Sequence, residues 1–379
     1  MKLTPQEQTI LRLLRADPLL DAAGLAERLG STKASVSVAL SNLTRKGAIL
    51  GRGYLVRGEA GVVVVGGAVM DVKARSGAPL DSATSNPGQI TTHPGGVGRN
   101  IAENLARLGT PTHLVAAIGT DSFGEELLAH TRKAGVRLDH VVAGVRPTGT
   151  YLAVLDHDGD LSVAVSDMSA TDALAVADIE PARSLIQHCD LLVVDGNVPL
   201  KVASWLCDVA RLGDVPVVIE PVSVVKARRL RPLLAADRPV LAVTPNIAEL
   251  AALVDHDVAD TIPAISRAAR ELHGLGVSHV WVRRGARGSL LSTAATDPPG
   301  RATVTTDARV SDEVVEVTGA GDSMTAGFVH ALLRDDDPVA AAAFGQATAA
   351  LTTESAHTVR PDLTHALVTG RLTTQQGKT

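Results

Sequence analysis

Near the end of the chain, "VTGAGDSMTAG" (317–327) sets two glycines beside an acid at what reads as a helix start. Gly319 and Gly321 let backbone N–H groups approach a ligand, and the positive end of the following helix favours an anion. With Ala320 they outline a pocket of N–H groups suited to a phosphate. Asp322 would repel that guest unless it had a task, such as accepting the proton of a hydroxyl that attacks phosphorus. Taken alone, a glycine turn followed by an acidic helix cap explains the same residues. Three other stretches could carry chemistry. "VVVVGGAVMDV" (62–72) runs a buried strand into Gly67 and Asp71, past the carboxyl end where open α/β sheets hold ligands. "PGGVGRN" (94–100) brings the backbone close with Gly95 and Gly96, then projects Asn100 from the first turn of a helix. "TPNIAEL" (244–250) places Asn246 and Glu249 three apart at a helix start, as a capping box or as a pair organising magnesium and its waters.

These groups need a scaffold, and the pattern around them supplies one. Apolar strands are read at 62–72, 112–119, 190–196, 215–221, 239–246 and 279–285, with helical periodicity at 98–108, 122–134, 199–212, 246–254 and 262–275. The alternation predicts an α/β fold, a mostly parallel sheet with helices on both faces, over residues 61–370. Segments near 73–93 and 146–167 break the alternation with period-two patterns and read as a small β lid, which would keep water from a phosphoryl donor. An oligomer-forming flap is the other reading of the same strands. The chain has no GxxxxGK[ST] and no GxGxxG after a strand, so nucleotide binding must use other means.

Of 379 residues, the first 59 hold nine Lys/Arg and five Asp/Glu, a net +4 that leaves −9 for the rest of a chain of net charge −5. The asymmetry predicts two bodies. In residues 1–58, Thr4, Pro5 and Glu7 start a helix that Pro18 closes, a second helix ends at Gly30, and a third carries Val36, Leu40 and Leu43 on one face before Gly47. "AILGRGYLV" then reads as a hairpin around Gly51-Arg52-Gly53. The order is similar to a winged helix-turn-helix, with Thr32, Lys33, Ser35, Ser37, Asn42 and Arg45 facing the major groove of double-stranded DNA and Arg52 on the wing. A solvated docking face is the alternative, because +4 is a modest charge.

Cys189 and Cys207 lack metal-ligand spacing, no apolar run approaches a membrane span, and the start lacks a signal pattern, so a cytoplasmic protein is expected. Aromatic residues make up only 2%, which argues against stacking platforms for single-stranded nucleic acid.

Gly67…Asp71, "PGGVGRN", "TPNIAEL" and "TGAGD" occur in one order, and together they resemble the ribokinase-like (PfkB) carbohydrate kinases over residues 62–365. The resemblance implies that Asp71, Gly95, Gly96 and Asn100 hold sugar hydroxyls, that Asn246 and Glu249 work on Mg2+ and phosphate, and that Asp322 is the base. It also implies ATP as donor, with Arg284, Gly285 and Gly288 of "RRGARGS", and Thr318, near the nucleotide, and "FGQATAALTTESAHT" (344–358) walling the adenine. Glu316 stands where ribokinases have an Asp at a monovalent-cation site, which leaves dependence on K+ open. "IEPVS" (219–223) puts Glu220 where an Asp is common. Within the family, "SNPGQITTHPGGVGRNIAENLARLG" (85–109), "GTYLAVLD" and "SDM" are most similar to pseudouridine kinases. That implies phosphorylation of a 5′ hydroxyl, with Ser85, Asn86, Thr150 and Asp167 on the uracil edge, Tyr151 packing on the base, and a homodimer. A ribokinase or another nucleoside or sugar kinase is the first alternative. A transcription regulator that only senses a nucleoside is the second.

Overall fold

The computed structural model describes residues 3–17, 20–49, 61–144, 146–294, 303–306, 314–334 and 336–376. The chain divides into compact units Met1–Ala60 and Gly61–Thr379. In the first, helices α1 (Pro5–Ala16), α2 (Ala22–Leu29) and α3 (Lys33–Arg45) bury Ile10, Leu14, Leu25, Val36, Leu40 and Leu43 together. Thr4 and Glu7 form a capping box, and Thr32 caps α3 through the Ser35 N–H. Glu7 also receives Lys46 Nζ at 2.8 Å, which ties the end of α3 to the start of α1. Thr32, Lys33, Ser35, Ser37 and Arg45 are exposed, while Asn42 is half-buried. Pro18 and the expected wing at Gly51-Arg52-Gly53 lie outside the described residues.

In the second unit the strands are, in chain order, β1 (Val62–Val65), β2 (Val69–Ser76), β3 (Gly88–Gly95), β4 (Thr112–Val115), β5 (Ala117–Ile118), β6 (Val142–Ala143), β7 (Gly149–Leu155), β8 (Leu161–Asp167), β9 (Leu191–Asp195), β10 (Val217–Glu220), β11 (Val240–Val243), β12 (Val277–Arg283), β13 (Ser289–Thr293) and β14 (Thr303–Thr306). Eight of them form one sheet in the order β14-β13-β12-β11-β10-β9-β1-β4. From β4 to β12 every pairing is parallel, and β13 and β14 complete an antiparallel edge. Val62, Val64, Leu191, Val193 and Val218 are fully buried, as valine- and leucine-rich parallel strands covered on both faces must be.

The chain leaves β1 toward β4 on one side and then returns to build β9 through β12 on the other. Right-handed crossovers therefore place α4 (Val97–Arg107) on one face and the helices Leu200–Leu212, Ile247–Val254 and Ile262–Gly274 on the opposite face. The reversal opens a crevice at the carboxyl ends of β1 and β9. The helix Ala320–Leu332 packs against α4, and Phe328 meets Trp281 of β12 with ring centroids 4.7 Å apart. β3-β2-β7-β8 form a separate four-stranded sheet, the expected lid, with β2 rising directly from the end of β1. The short helices Ser169–Asp172, Val176–Ile179 and Arg183–His188, and strand β6, are absent from the periodicity reading because each is too short to repeat its pattern, and the strand read at 112–119 divides into β4 and β5.

Candidate active site

Asp322 enters the crevice on the first turn of the helix Ala320–Leu332. Gly319 caps that helix at φ 82°, and a Cβ there would lie 2.1 Å from Thr358 O, so the turn requires glycine. Across the crevice, Asn100 on α4 donates from Nδ2 to Asp322 Oδ2 at 2.7 Å. Arg99 fixes which way that amide points. Its buried guanidinium donates to Asn100 Oδ1, to Gly95 O at 3.0 Å and to Pro94 O at 2.9 Å, and it pairs with Glu103 one turn on. Gly95 in turn lies beneath Asp71, since a Cβ on it would fall 2.2 Å from Asp71 Oδ2. Asp71, Gly95, Asn100 and Asp322 are thus linked into one wall through Arg99 and the Asn100 amide.

Burial pushes the Asp322 carboxyl up to about 7, helped by Glu220 and Asp195 and opposed by the Asn100 hydrogen bond and by Arg283. Burial likewise raises Asp71 to about 6, with Arg99 and Lys73 opposing. A carboxylate poised near neutrality, within reach of a bound hydroxyl, is suited to accept its proton.

A cavity of about 510 Å³ opens on the other side of Asp322, bordered by Ala320, Gly321, Asn246, Gly285, Gly288 and Gln346 among others. The N–H pocket differs from the expectation in one respect. Ala320 N–H is bonded to Val317 O at 3.3 Å, so the first-turn amides without an acceptor among the described residues are those of Gly321 and Asp322. Thr318 turns to Glu316 instead of the cavity, donating both its N–H (3.0 Å) and its hydroxyl (2.7 Å) to Oε1. Asn246 and Glu249 do form a capping box, Asn246 Oδ1 accepting from Glu249 N–H and Glu249 Oε2 from Asn246 N–H, both at 2.9 Å. Asn246 borders the cavity while Glu249 is buried and also receives Arg283.

Several expected residues sit elsewhere. Arg284 is paired with Asp260 at 2.6 Å, which also holds Arg287, so neither points a free charge at the cavity. Ser85 and Asn86 lie on the exposed β2–β3 connection, where Asn86 closes a turn with Asp81 N–H (2.8 Å) and Asp81 O (2.9 Å). The β2–β3 register pairs Asp71 with His93 and Ser76 with Gly88. Five steps of strand, about 17 Å, therefore separate Asp71 from that connection. Strand parity displaces two more. Tyr151 pairs with Asp71 and shares its face, whereas Thr150 and Asp167 are one residue out of phase and project from the opposite face. Asp167 accepts the Ser169 N–H at 2.9 Å, the turn chemistry that lowers its pKa.

The sequence reading missed five charged residues. Arg99 and Glu103 stand one helical turn apart on an otherwise buried stretch, a pattern that marks an internal ion pair. Asp195, at the end of β9, accepts N–H groups of Gly67 and Gly98 at 2.8 Å each and so pins α4 to the end of β1. Lys73, two residues beyond Asp71 and on its face, reaches Glu316 at 3.0 Å. With that ammonium and the Thr318 donors on it, Glu316 is held down to about 2, burial opposing. Both Glu316 oxygens thus already carry donors. Arg283, at the end of β12, binds the buried Glu220 through Nη2–Oε1 (2.6 Å) and Nη1–Oε2 (3.1 Å) and reaches Glu249 Oε2 at 3.2 Å.

Residues 59–365 match the pfkB family of carbohydrate kinases. The chain belongs to that family. It is 30% identical over 359 residues to an uncharacterised sugar kinase, YeiI, of Escherichia coli K12, a match covering 94% of this chain and 96% of that protein. A pseudouridine kinase of the same organism is 33% identical over 318 residues, covering 81% of this chain and 95% of its own. The solved structure of a carbohydrate kinase from Agrobacterium tumefaciens superposes with a TM-score of 0.71 at 30% identity, covering 82% of this chain and 96% of that one. This chain is therefore a sugar or nucleoside kinase of the pfkB family with the ribokinase-like fold. The YeiI match is too long to stop at the kinase unit and extends into the first one. No helix among the described residues is long and apolar enough to cross a membrane.

Proposed function

We propose that the kinase unit transfers the γ-phosphoryl group of ATP to the 5′ hydroxyl of pseudouridine. The observation that carries the reading is the 2.7 Å bond between Asn100 and Asp322, which puts the proposed base at the junction of the Asp71–Gly95–Asn100 wall and the 510 Å³ cavity. A ribosyl group held by Asp71 and Asn100 presents its O5′ to Asp322, and the triphosphate enters along Gly321. The O5′–H proton passes to Asp322, the O5′–P bond forms, the bond from phosphorus to the β–γ bridging oxygen breaks, and ADP leaves. Tyr151, beside Asp71 on the same face, is the aromatic surface for the base. The 33% identical pseudouridine kinase supports the choice of nucleoside. Magnesium brought with ATP would offset phosphate charge, and Asn246 with Glu249 suits its water shell better than direct coordination, because Glu249 Oε2 already carries two N–H donors. Purified protein with ATP and Mg2+ should give its highest kcat/KM on pseudouridine among pseudouridine, uridine, ribose and fructose. A preference for ribose would replace the nucleoside by the sugar.

Two partners follow from surfaces. Ile90, Leu152, Val163 and Val165 lie on the lid face opposite Asp71, in adjoining register, and Ile90 is 72% exposed. A second copy of the chain is the proposed cover, in keeping with the homodimer that the family resemblance implies. Val163→Asp with Val165→Asp should then halve the mass seen by light scattering, and a monomeric parent would refute it. Residues 1–58 are proposed to bind double-stranded DNA through the polar face of α3. Affinity that fails to weaken with salt, or no affinity, would remove that role.

A further inference from the structure

Arg283 is the one cationic side chain among the described residues that border the 510 Å³ cavity. Its surroundings are otherwise acidic: Glu220, Glu249 and Asp322 all stand near it. Among the described residues that border the cavity, the charged ones are thus Glu220, Asp322 and this guanidinium, and the rest are neutral. Arg283 is also held rigidly. Glu220 grips it with both oxygens, and Glu220 Oε2 is itself fixed by the hydroxyls of Thr244 at 2.7 Å and Thr325 at 2.9 Å. The three hydrogen bonds to Glu220 and Glu249 use three of the five guanidinium N–H groups. A Cβ on Gly321 would lie 2.7 Å from Arg283 Nη1, so the guanidinium rests against the glycine that precedes the base.

We propose that Arg283 is a catalytic residue that donates a remaining N–H to the transferred phosphoryl group, beside the amides of Gly321 and Asp322. The inference rests on the phosphotransfer reading above and gives it the cation that Arg284 and Arg287, both tied to Asp260, do not supply. Two glutamates orient the guanidinium before the nucleotide arrives, so it stabilises charge on the phosphoryl oxygens without reorganising. Glu220, one methylene longer than aspartate, spans the distance to the arginine.

The test compares full-length Arg283→Lys and Arg283→Gln with the parent. Calorimetric titration with AMP and with the β,γ-imido analogue of ATP reads the contact independently of any nucleoside. Both variants should bind AMP within about twofold of the parent while losing roughly 10- to 100-fold in affinity for the imido analogue, with a similar fall in kcat. Equal losses for both nucleotides would make Arg283 a clamp for Glu220 and Glu249 only, and unchanged imido-analogue binding would likewise overturn the proposal. If Arg283→Gln fails to fold, Arg283→Lys keeps a charge between the glutamates and decides alone, because a single ammonium cannot reproduce the fork. A parent protein that phosphorylates nothing in the substrate panel would refute the functional reading, whereas the AMP-to-analogue ratio would still report on Arg283.

Discussion

Replacing Asp322 by asparagine should make the protein less active and more stable, and the second effect depends on pH. In the folded chain burial pushes the Asp322 carboxyl up to about 7, from an ordinary value of 3.8. Because the folded pKa exceeds the unfolded one, the folded state holds the proton more tightly between about pH 4 and pH 7. Stability therefore falls as pH rises through that window and levels off above it. The full shift corresponds to about 4 kcal/mol of strain at pH 8 as an upper bound. Asp322 borders an open cavity, and water there screens part of it, so about 2 kcal/mol is the working figure. The substituted side chain would avoid this penalty while still accepting the Asn100 hydrogen bond through its amide oxygen. Scanning calorimetry of the full chain at pH 8 should show the kinase-unit transition of Asp322→Asn raised by about 3 °C, with no gain at pH 4. In the same protein kcat should fall by about 10²- to 10⁴-fold. An Asp322→Asn variant that melts at or below the parent temperature at pH 8, or gains equally at both pH values, would refute the reasoning.

Three further outcomes follow. Gly95→Ala sets a methyl against Asp71, 2.2 Å from Oδ2, and should raise the nucleoside KM by roughly tenfold while leaving AMP affinity unchanged by titration. The free-enzyme profile of kcat/KM should have an acid limb near pH 7, because Asp322 must be ionised to accept a proton, and Asn100→Ala should move the limb upward since the Asn100 hydrogen bond holds that pKa down. With Lys73 on Glu316, rates in potassium and in tetramethylammonium salts should agree within about twofold, and a strict potassium requirement would contradict the ion pair's role.

What could be read beforehand was set by local chemistry. The turn at Gly319, the capping boxes at Thr4–Glu7 and Asn246–Glu249, and the valine-rich strands depend on neighbours a few residues away, and the structure has them as read. The misplacements have a common cause in long-range register. Thr150 and Asp167 stand one residue from Tyr151 and Ser166, and the pleat alone puts them on the wrong face, which is fixed only once β2, β7 and β8 pair. Ser85 and Asn86 depend on how far the β2–β3 ladder extends. Arg283 and Arg284 are adjacent and chemically identical, yet one meets Glu220 and the other Asp260, partners 63 and 24 residues away. Arg99, Asp195 and Lys73 were opaque for the same reason, since each charge gains meaning from an element that the sheet order brings beside it.

The most direct measurement mixes the full-length protein with ATP, Mg2+ and pseudouridine and follows the product by phosphorus NMR and mass. A nucleoside phosphate esterified at O5′, formed one for one with ADP by the parent and nearly abolished in Asp322→Asn, is the predicted result. ADP release without any phosphorylated acceptor, or full transfer by the asparagine variant, would contradict it.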